Sequence, residues 1–163
     1  MSLQVAEGSE VEAGAGVSAG SDNVEFVTVT IAGQLLGIPI LSVEDVLGPQ
    51  KISQIPRAHP AVAGVLNLRG RIVTAIDVRR RLGLPPVDSN AHCMSVVVEH
   101  DREPYSLLID SVGDVLKVSA SSYERNPATL DQRWAQVSAG IYRLDDGLLV
   151  ALEVGALLDF DAA

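Results

Sequence analysis

Aromatic side chains and positive charge are both scarce in this 163-residue chain. Aromatic residues make up 4% of it, so the core must be built mainly from aliphatic residues. Among these, Val and Ile favour the half-buried surfaces of β-strands. Twelve Lys and Arg residues stand against 21 Asp and Glu residues, which gives a formal net charge of -9. Such a charge opposes attraction to nucleic acid or to an anionic membrane, and we expect neither as a partner.

Cysteine and long apolar runs are also missing. The single cysteine, Cys93, excludes an internal disulfide and fits a reducing compartment. No run of 18 apolar residues predicts a membrane-spanning helix, and no charged-then-apolar segment is typical of secretion. We therefore expect a cytoplasmic protein without direct membrane insertion.

Motifs for catalysis and metal binding are absent as well. His59, His92 and His100 do not lie at ligand spacing from a set of Cys or carboxylate residues. Neither a nucleophile elbow nor a phosphate-binding loop is present. Asp45 and Asp114 could form a carboxylate pair, but they occupy matching places in an internal repeat, which favours a structural role. The sequence therefore predicts no catalytic residue, no metal and no cofactor.

Composition divides the chain into a tail and a body. Residues 1–22 are rich in Gly, Ala, Ser and Glu and have no helical or strand periodicity, which predicts a disordered acidic tail. Residues 23–163 are predicted to fold. Within them, residues 38–47 match residues 107–116 at six of ten positions with an offset of 69.

The repeat continues beyond this match and defines the predicted fold. Further matches have an offset of 76, so seven extra residues lie in the loop between about 117 and 138, which contains Trp134. The first repeat spans about 24–84 and the second about 94–160, each with about five short strands. We predict an all-β fold of two five-stranded SH3-like β-barrels, with end strands able to exchange between the halves. Short helices at 77–83 and 153–159 should close each half, and because each barrel alone has a small core, the interface should be apolar.

Three spaced motifs resemble those of the CheW family. Residues 64–82 contain an Asn-Leu-Arg-Gly turn, then an apolar strand, then Asp and a short helix. Residues 40–47 are similar to the family's Val-x-Glu-Val element, and residues 107–116 to its Asp-Gly-Val-x-x-Val element. The resemblance covers residues 24 to about 160, nearly all of the predicted body.

This resemblance implies a non-catalytic adaptor of chemotaxis signal transduction. Members of the family have two five-stranded barrels and bind the regulatory domain of the histidine kinase CheA barrel to barrel. They bind the cytoplasmic hairpin tip of chemoreceptors in a groove between their own barrels, at receptor arrays beneath the inner membrane. They need no cofactor and perform no reaction.

Nine residues match positions of the family that bind the receptor or the kinase. They are Val43, Glu44, Asp45, Gly64, Asn67, Arg69, Gly70, Val112 and Val115. Arg69 either binds a partner carboxylate or forms an internal ion pair, and the second repeat has Asp145 in its place. The three valines either line the receptor groove or belong to the core, while Gly64 and Asn67 are also suited to shaping a turn. Asp45 stands where the family commonly has Glu, and Ser111 where it often has Gly.

Two other functions are compatible with the residues. One is a CheW-like module of another chemosensory pathway, such as motility by pili or development, which differs only in its partners. The other is a small-ligand-binding double barrel, which requires a lined cavity with converging polar groups.

Overall fold

The structure is a computed structural model that describes residues 22–86, 94–145 and 147–159. The predicted tail, apart from Asp22, lies outside the described residues, as do His92 and Cys93. The strands are β1 Asn23–Ile31, β2 Gln34–Pro39, β3 Val43–Leu47, β4 Val62–Leu68, β5 Arg71–Asp77, β6 Met94–His100, β7 Glu103–Ile109, β8 Ser111–Ser119, β9 Tyr123–Glu124, β10 Ser138–Leu144 and β11 Gly147–Leu152. The helices are α1 Val78–Leu82, α2 Gln132–Ala135 and α3 Val154–Leu158, and 3-10 turns cover Ile40–Ser42 and Ala120–Ser122.

The strands form two sheets that share one order. The six-stranded sheet runs β8-β1-β2-β11-β10-β9 and the five-stranded sheet runs β3-β6-β7-β5-β4. In the repeat, β1 corresponds to β6, β2 to β7, β3 to β8, β4 to β10 and β5 to β11. Apart from β9, the two orders then coincide. Each sheet combines the first hairpin of one repeat with three strands of the other, so neither repeat forms a sheet by itself.

The predicted fold class is confirmed. The described residues form mostly strands, in two sheets, and α1 and α3 lie inside the ranges predicted for the closing helices. The six-stranded sheet exceeds the predicted five strands because the two-residue β9 pairs with β10. Closure of each sheet into a barrel stays a prediction.

Tight turns with positive φ join the two strands of each of three hairpins. Between β1 and β2 the two turn residues are Ala32 and Gly33, with φ of 52° and 83°. Between β4 and β5 they are Arg69 and Gly70, with φ of 52° and 86°, and the β6–β7 turn has the same pattern. Two consecutive positive φ angles are typical of type I′ turns, whose twist matches that of the flanking strands. Arg69 is therefore held at the tip of a short hairpin.

The largest cluster of buried side chains contains residues from both sheets. Val29 and Ile38 come from the six-stranded sheet, whereas Val96 and Leu107 come from the five-stranded sheet. Two smaller clusters belong to one sheet each, around Phe26 in the first and around Val73 in the second. The apolar contact between the sheets is thus the main core of the molecule.

Trp134 belongs to this core, although the sequence predicts it in a long loop. The segment between β8 and β10 contains β9 and α2, and Trp134 on α2 is 7% exposed and packs in the main cluster. Asp131 caps α2 by accepting a hydrogen bond from the backbone N–H of Arg133 at 2.8 Å. One apolar residue among polar ones shows no periodicity, so the pattern did not reveal this helix.

Asp110, which lies between β7 and β8, forms a bidentate ion pair with Arg79. Asp110 accepts hydrogen bonds from Nε of Arg79 at 2.9 Å and from its terminal nitrogen at 2.6 Å, and from the backbone N–H of Ala32 at 2.9 Å. The bonds from Arg79 hold the pKa of Asp110 below its ordinary value. The pair thereby joins α1, which follows the five-stranded sheet, to the β1–β2 turn of the other sheet.

Candidate protein-binding site

The tip of the β4–β5 hairpin presents Arg69 to solvent. The side-chain oxygen of Asn67 accepts a hydrogen bond from the backbone N–H of Gly70 at 2.9 Å, which stabilises the turn. The Arg69 side chain is 77% exposed. The predicted role of Asn67 in shaping the turn is therefore the one that this contact supports.

Arg69 also forms an ion pair with Asp45. Its terminal nitrogen lies 3.0 Å from a carboxylate oxygen of Asp45, whose other oxygen accepts a hydrogen bond from the backbone N–H of Val46 at 2.8 Å. Asp45 lies on β3 and Arg69 follows β4, and these strands are the two ends of the five-stranded order. The two edge strands of this sheet thus lie within reach of one side-chain ion pair.

A second ion pair lies beside the first. Arg71 at the start of β5 approaches Glu44 on β3 at 3.5 Å, and its side chain is 53% exposed. Exposed ion pairs of this kind stabilise a fold by only about 0–1 kcal/mol. The internal ion pair predicted as one role of Arg69 is present, but it holds the arginine weakly.

Gly64 lies away from the hairpin tip and has a packing role. It marks a β-bulge in β4 and has a φ of 148°, a conformation that residues with a side chain rarely adopt. A Cβ atom at this position would collide with the backbone carbonyl of Ser53, which forms a bridge with Val65. Direct contact with a partner is therefore not needed to explain this glycine.

The three predicted valines differ in exposure. Val43 on β3 and Val112 on β8 are partly buried and pack against the main core. Val115, also on β8, is 51% exposed. Strand β8 is an edge of the six-stranded sheet, so Val115 lies on an open surface. The structure therefore joins Glu44, Asp45, Asn67, Arg69 and Gly70 in one cluster and places Val115 on the other sheet.

The two most exposed large apolar side chains were not predicted as site residues from the sequence. Leu41 in the first 3-10 turn is 98% exposed, and Ile72 on β5 is 65% exposed and lies opposite Asn67 in the β4–β5 register. The repeat carried a signal for Leu41, because the matching residue of the second half is Asp110. A charged residue at the matching position indicates that the fold does not require an apolar side chain at that place.

The two aspartates considered as a carboxylate pair lie on different sheets. The described residues contain no group of three or more His, Cys, Asp or Glu side chains that could hold a metal ion. Asp45 pairs with Arg69, whereas Asp114 lies on the other sheet and accepts a hydrogen bond from the hydroxyl of Thr28 through its backbone carbonyl at 2.6 Å. Within the described ranges, the helices are all too short to cross a bilayer.

Comparison with known proteins places this geometry in a family. A model of the CheW-like domain matches residues 25–162. A protein of Rhizobium etli described as "Probable chemotaxis protein CheW" is 29% identical over 133 residues, which cover 82% of this chain and 86% of that protein. The chemotaxis protein CheW of Helicobacter pylori is 26% identical over 152 residues, covering 93% and 92%. The crystal structure of the scaffolding protein TtCheW from Thermoanaerobacter tengcongensis superposes with a TM-score of 0.77 at 25% identity, covering 87% of this chain and 97% of that one.

Proposed function

This chain belongs to the CheW-like family and is an adaptor of chemotactic signalling, and we propose that it couples the cytoplasmic tips of chemoreceptors to the regulatory domain of the kinase CheA. The proposed action is binding alone, without catalysis or cofactor. Its proposed place is the cytoplasm, at receptor arrays beneath the inner membrane. The family match over residues 25–162 is the observation that carries this proposal.

The cluster around Arg69 is the first proposed contact surface. We define the Arg69 surface as Glu44, Asp45, Asn67, Arg69 and Gly70. Its ion pair is exposed, so exchanging Asp45 for a carboxylate of a partner helix costs little. Arginine at a hairpin tip presents a planar fork that suits a carboxylate, and the exposed Ile72 nearby adds apolar area.

The second proposed contact is apolar and lies on β3 and β8. Val43 and Val112 pack against the core between the sheets, and Val115 is half exposed. A helical hairpin needs an apolar groove with side chains at such positions. We propose that Val115 contacts the receptor directly, while Val43 and Val112 shape the groove beneath it.

The test is calorimetric titration of the protein with a CheA regulatory domain and, separately, with a receptor tip. We expect Arg69→Glu and Val115→Asp each to weaken binding to at least one partner by about tenfold or more, since centrally placed contacts carry most of the binding free energy. Arg102→Glu is the matched control for Arg69→Glu, because Arg102 also lies in a tight hairpin turn with positive φ, between β6 and β7.

Binding by the wild-type chain that is unchanged in both variants would remove these residues from the interface. Failure of the folded wild-type chain to bind any kinase of this class would reject the coupling function. Titrating components of each chemosensory system in the source organism separates chemotaxis from pilus motility and development.

A further inference from the structure

A cavity of about 360 Å³ opens at one end of the six-stranded sheet. Three aromatic side chains line it: Phe26 on β1, Tyr123 on β9 and Tyr142 on β10. The whole chain contains two Phe, three Tyr and one Trp, so half of its aromatic residues surround this one space. The volume is in the range of small-molecule and side-chain sites.

The three rings differ in exposure, from the buried floor of the cavity to its rim. Phe26 and Tyr142 are 3% and 7% exposed and their ring centroids lie 5.3 Å apart, so they form the floor. Tyr123 meets Tyr142 edge to face at 5.9 Å and is 47% exposed, which places it at the rim. Clustered rings present electron-rich faces that attract cations.

The fold itself does not require these rings, because the other half of the repeat lacks them. At the offsets of the repeat, Phe26 corresponds to Ser95 and Tyr142 corresponds to Leu66. Val65 corresponds to Ile141, and their bridge partners are Ser53 and Glu124. The residue before each partner therefore also corresponds, so that Ile52 takes the place of Tyr123 in the first half. The same architecture thus stands with small or aliphatic residues at all three places.

Acidic side chains surround the mouth of the cavity. Glu99 and Glu153 line it and are exposed, and His100, the last residue of β6, lines it as well. Among the described residues that line it, neither lysine nor arginine occurs. The mouth is therefore negative in a chain that is itself strongly acidic.

Glu153 does not cap its helix, although the matching residue of the first half, Asp77, does. Asp77 caps α1 by accepting a hydrogen bond from the backbone N–H of Arg80 at 3.2 Å. Glu153 occupies the matching place before α3 but makes no capping hydrogen bond, and it lines the cavity instead. Its carboxylate is therefore available to a bound group.

The two halves also differ at the next helical position. In α1 the second residue is Arg79, whose guanidinium fills the region beside the helix and pairs with Asp110. In α3 the second residue is Gly155, which lines the cavity without a side chain, and the imidazole of His100 lies 3.2 Å from the place where a Cβ atom would be. One half of the molecule thus holds a guanidinium of its own where the other half leaves an aromatic and acidic cavity.

We propose that this cavity binds a guanidinium group supplied from outside the chain. The planar cation would stack on Tyr123, which is 47% exposed, and pair with Glu153 and Glu99. Its source is an arginine side chain of a protein partner or free arginine, which share this chemistry. The proposal does not depend on the coupling function, because its test uses the chain alone.

The test is a titration of the 15N-labelled full chain with N-acetyl-arginine methylamide, followed by NMR at constant ionic strength. We expect saturable shifts of the amides of Ala151, Leu152 and Gly155, with a dissociation constant on the order of 1–10 mM. The citrulline analogue has the same shape without the charge and should bind at least about fivefold more weakly. Free arginine, titrated in parallel, separates the two sources: tighter binding of the methylamide assigns the site to a protein side chain.

Variants complete the test. Glu153→Gln should weaken binding by about threefold or more, and Tyr123→Leu should do the same at an exposed position that the fold tolerates. Glu25→Gln makes the same charge change at an exposed residue outside the cavity and should leave binding unchanged. Absence of saturable shifts, equal binding of the citrulline analogue, or unchanged binding by Glu153→Gln would each overturn the proposal.

Discussion

At the scale of single residues, the two halves fill the same place between their first two strands with different side chains. In the six-stranded sheet the ring of Phe26 fills the space where Gly37 lacks a side chain, and a Cβ atom there would lie 2.8 Å from the ring. At the offset of the repeat, Phe26 becomes Ser95 and Gly37 becomes Ser106. The hydroxyl of Ser106 is buried without a hydrogen-bond partner among the described residues. A buried hydroxyl without a partner destabilises the folded state.

Ser106→Ala should therefore stabilise the protein. Removing the unpaired hydroxyl while keeping the Cβ atom should raise the free energy of unfolding by about 1 kcal/mol. Gly37→Ala is the matched comparison and should lower it by about 1–3 kcal/mol, because the new methyl group meets the Phe26 ring. Urea unfolding followed by circular dichroism measures both changes, and a destabilised Ser106→Ala variant would contradict this account.

At the scale of elements, the paired β-bulges are the feature that both halves keep. Register shifts occur at Gly64 in β4 and at Gly140 in β10, which are matching places of the repeat. Both glycines have strongly positive φ, and a Cβ atom would collide with Ser53 at one and with Tyr123 at the other. At each bulge the strand therefore lies very close to the chain segment that precedes it in sequence.

Gly64→Ala should destabilise the protein strongly. The substitution combines backbone strain with a collision against a backbone carbonyl, so we expect a loss of about 2–4 kcal/mol of unfolding free energy. Gly33→Ala separates the two causes, because Gly33 has a φ of 83° but nothing within 4 Å of the added atom. It should cost about 1 kcal/mol. Equal losses in the two variants, measured by thermal and urea unfolding, would show that the close approach at Gly64 has no energetic weight.

At the scale of the whole molecule, the exchange of strands makes the two repeats interdependent. Each sheet takes its first hairpin from one repeat and all its other strands from the other repeat. The main core contains buried residues from both sheets. Separating the two repeats would expose strand edges in each sheet and the buried side chains of this core.

Fragments 22–86 and 94–159, produced separately, should therefore remain unfolded. We expect narrow amide dispersion in NMR spectra of each fragment and no cooperative thermal transition. Mixing the two should restore the dispersed spectrum of the intact chain, because all the strand pairings can then form. A cooperative transition in either fragment alone would contradict the interdependence of the repeats.

Local patterns and the internal repeat are enough to predict much of this protein from its residues. The alternation of apolar residues predicts the strands, because a strand with one covered face needs period two. The match of residues 38–47 with 107–116 predicts the duplication, and the Asn-Leu-Arg-Gly turn with its flanking motifs predicts the family that the comparisons confirm. Such features depend on residues near one another in the chain, or on a copy elsewhere in it.

Contacts between residues far apart in the chain became visible in the folded molecule alone. The ion pair of Arg69 with Asp45 depends on the curvature of a sheet, and the burial of Trp134 depends on a core built from both repeats. The aromatic cavity likewise gathers Phe26, Tyr123 and Tyr142 from three strands of one sheet. Pairing between strands far apart in sequence follows from the packing of the whole molecule, and local periodicity carries no record of it.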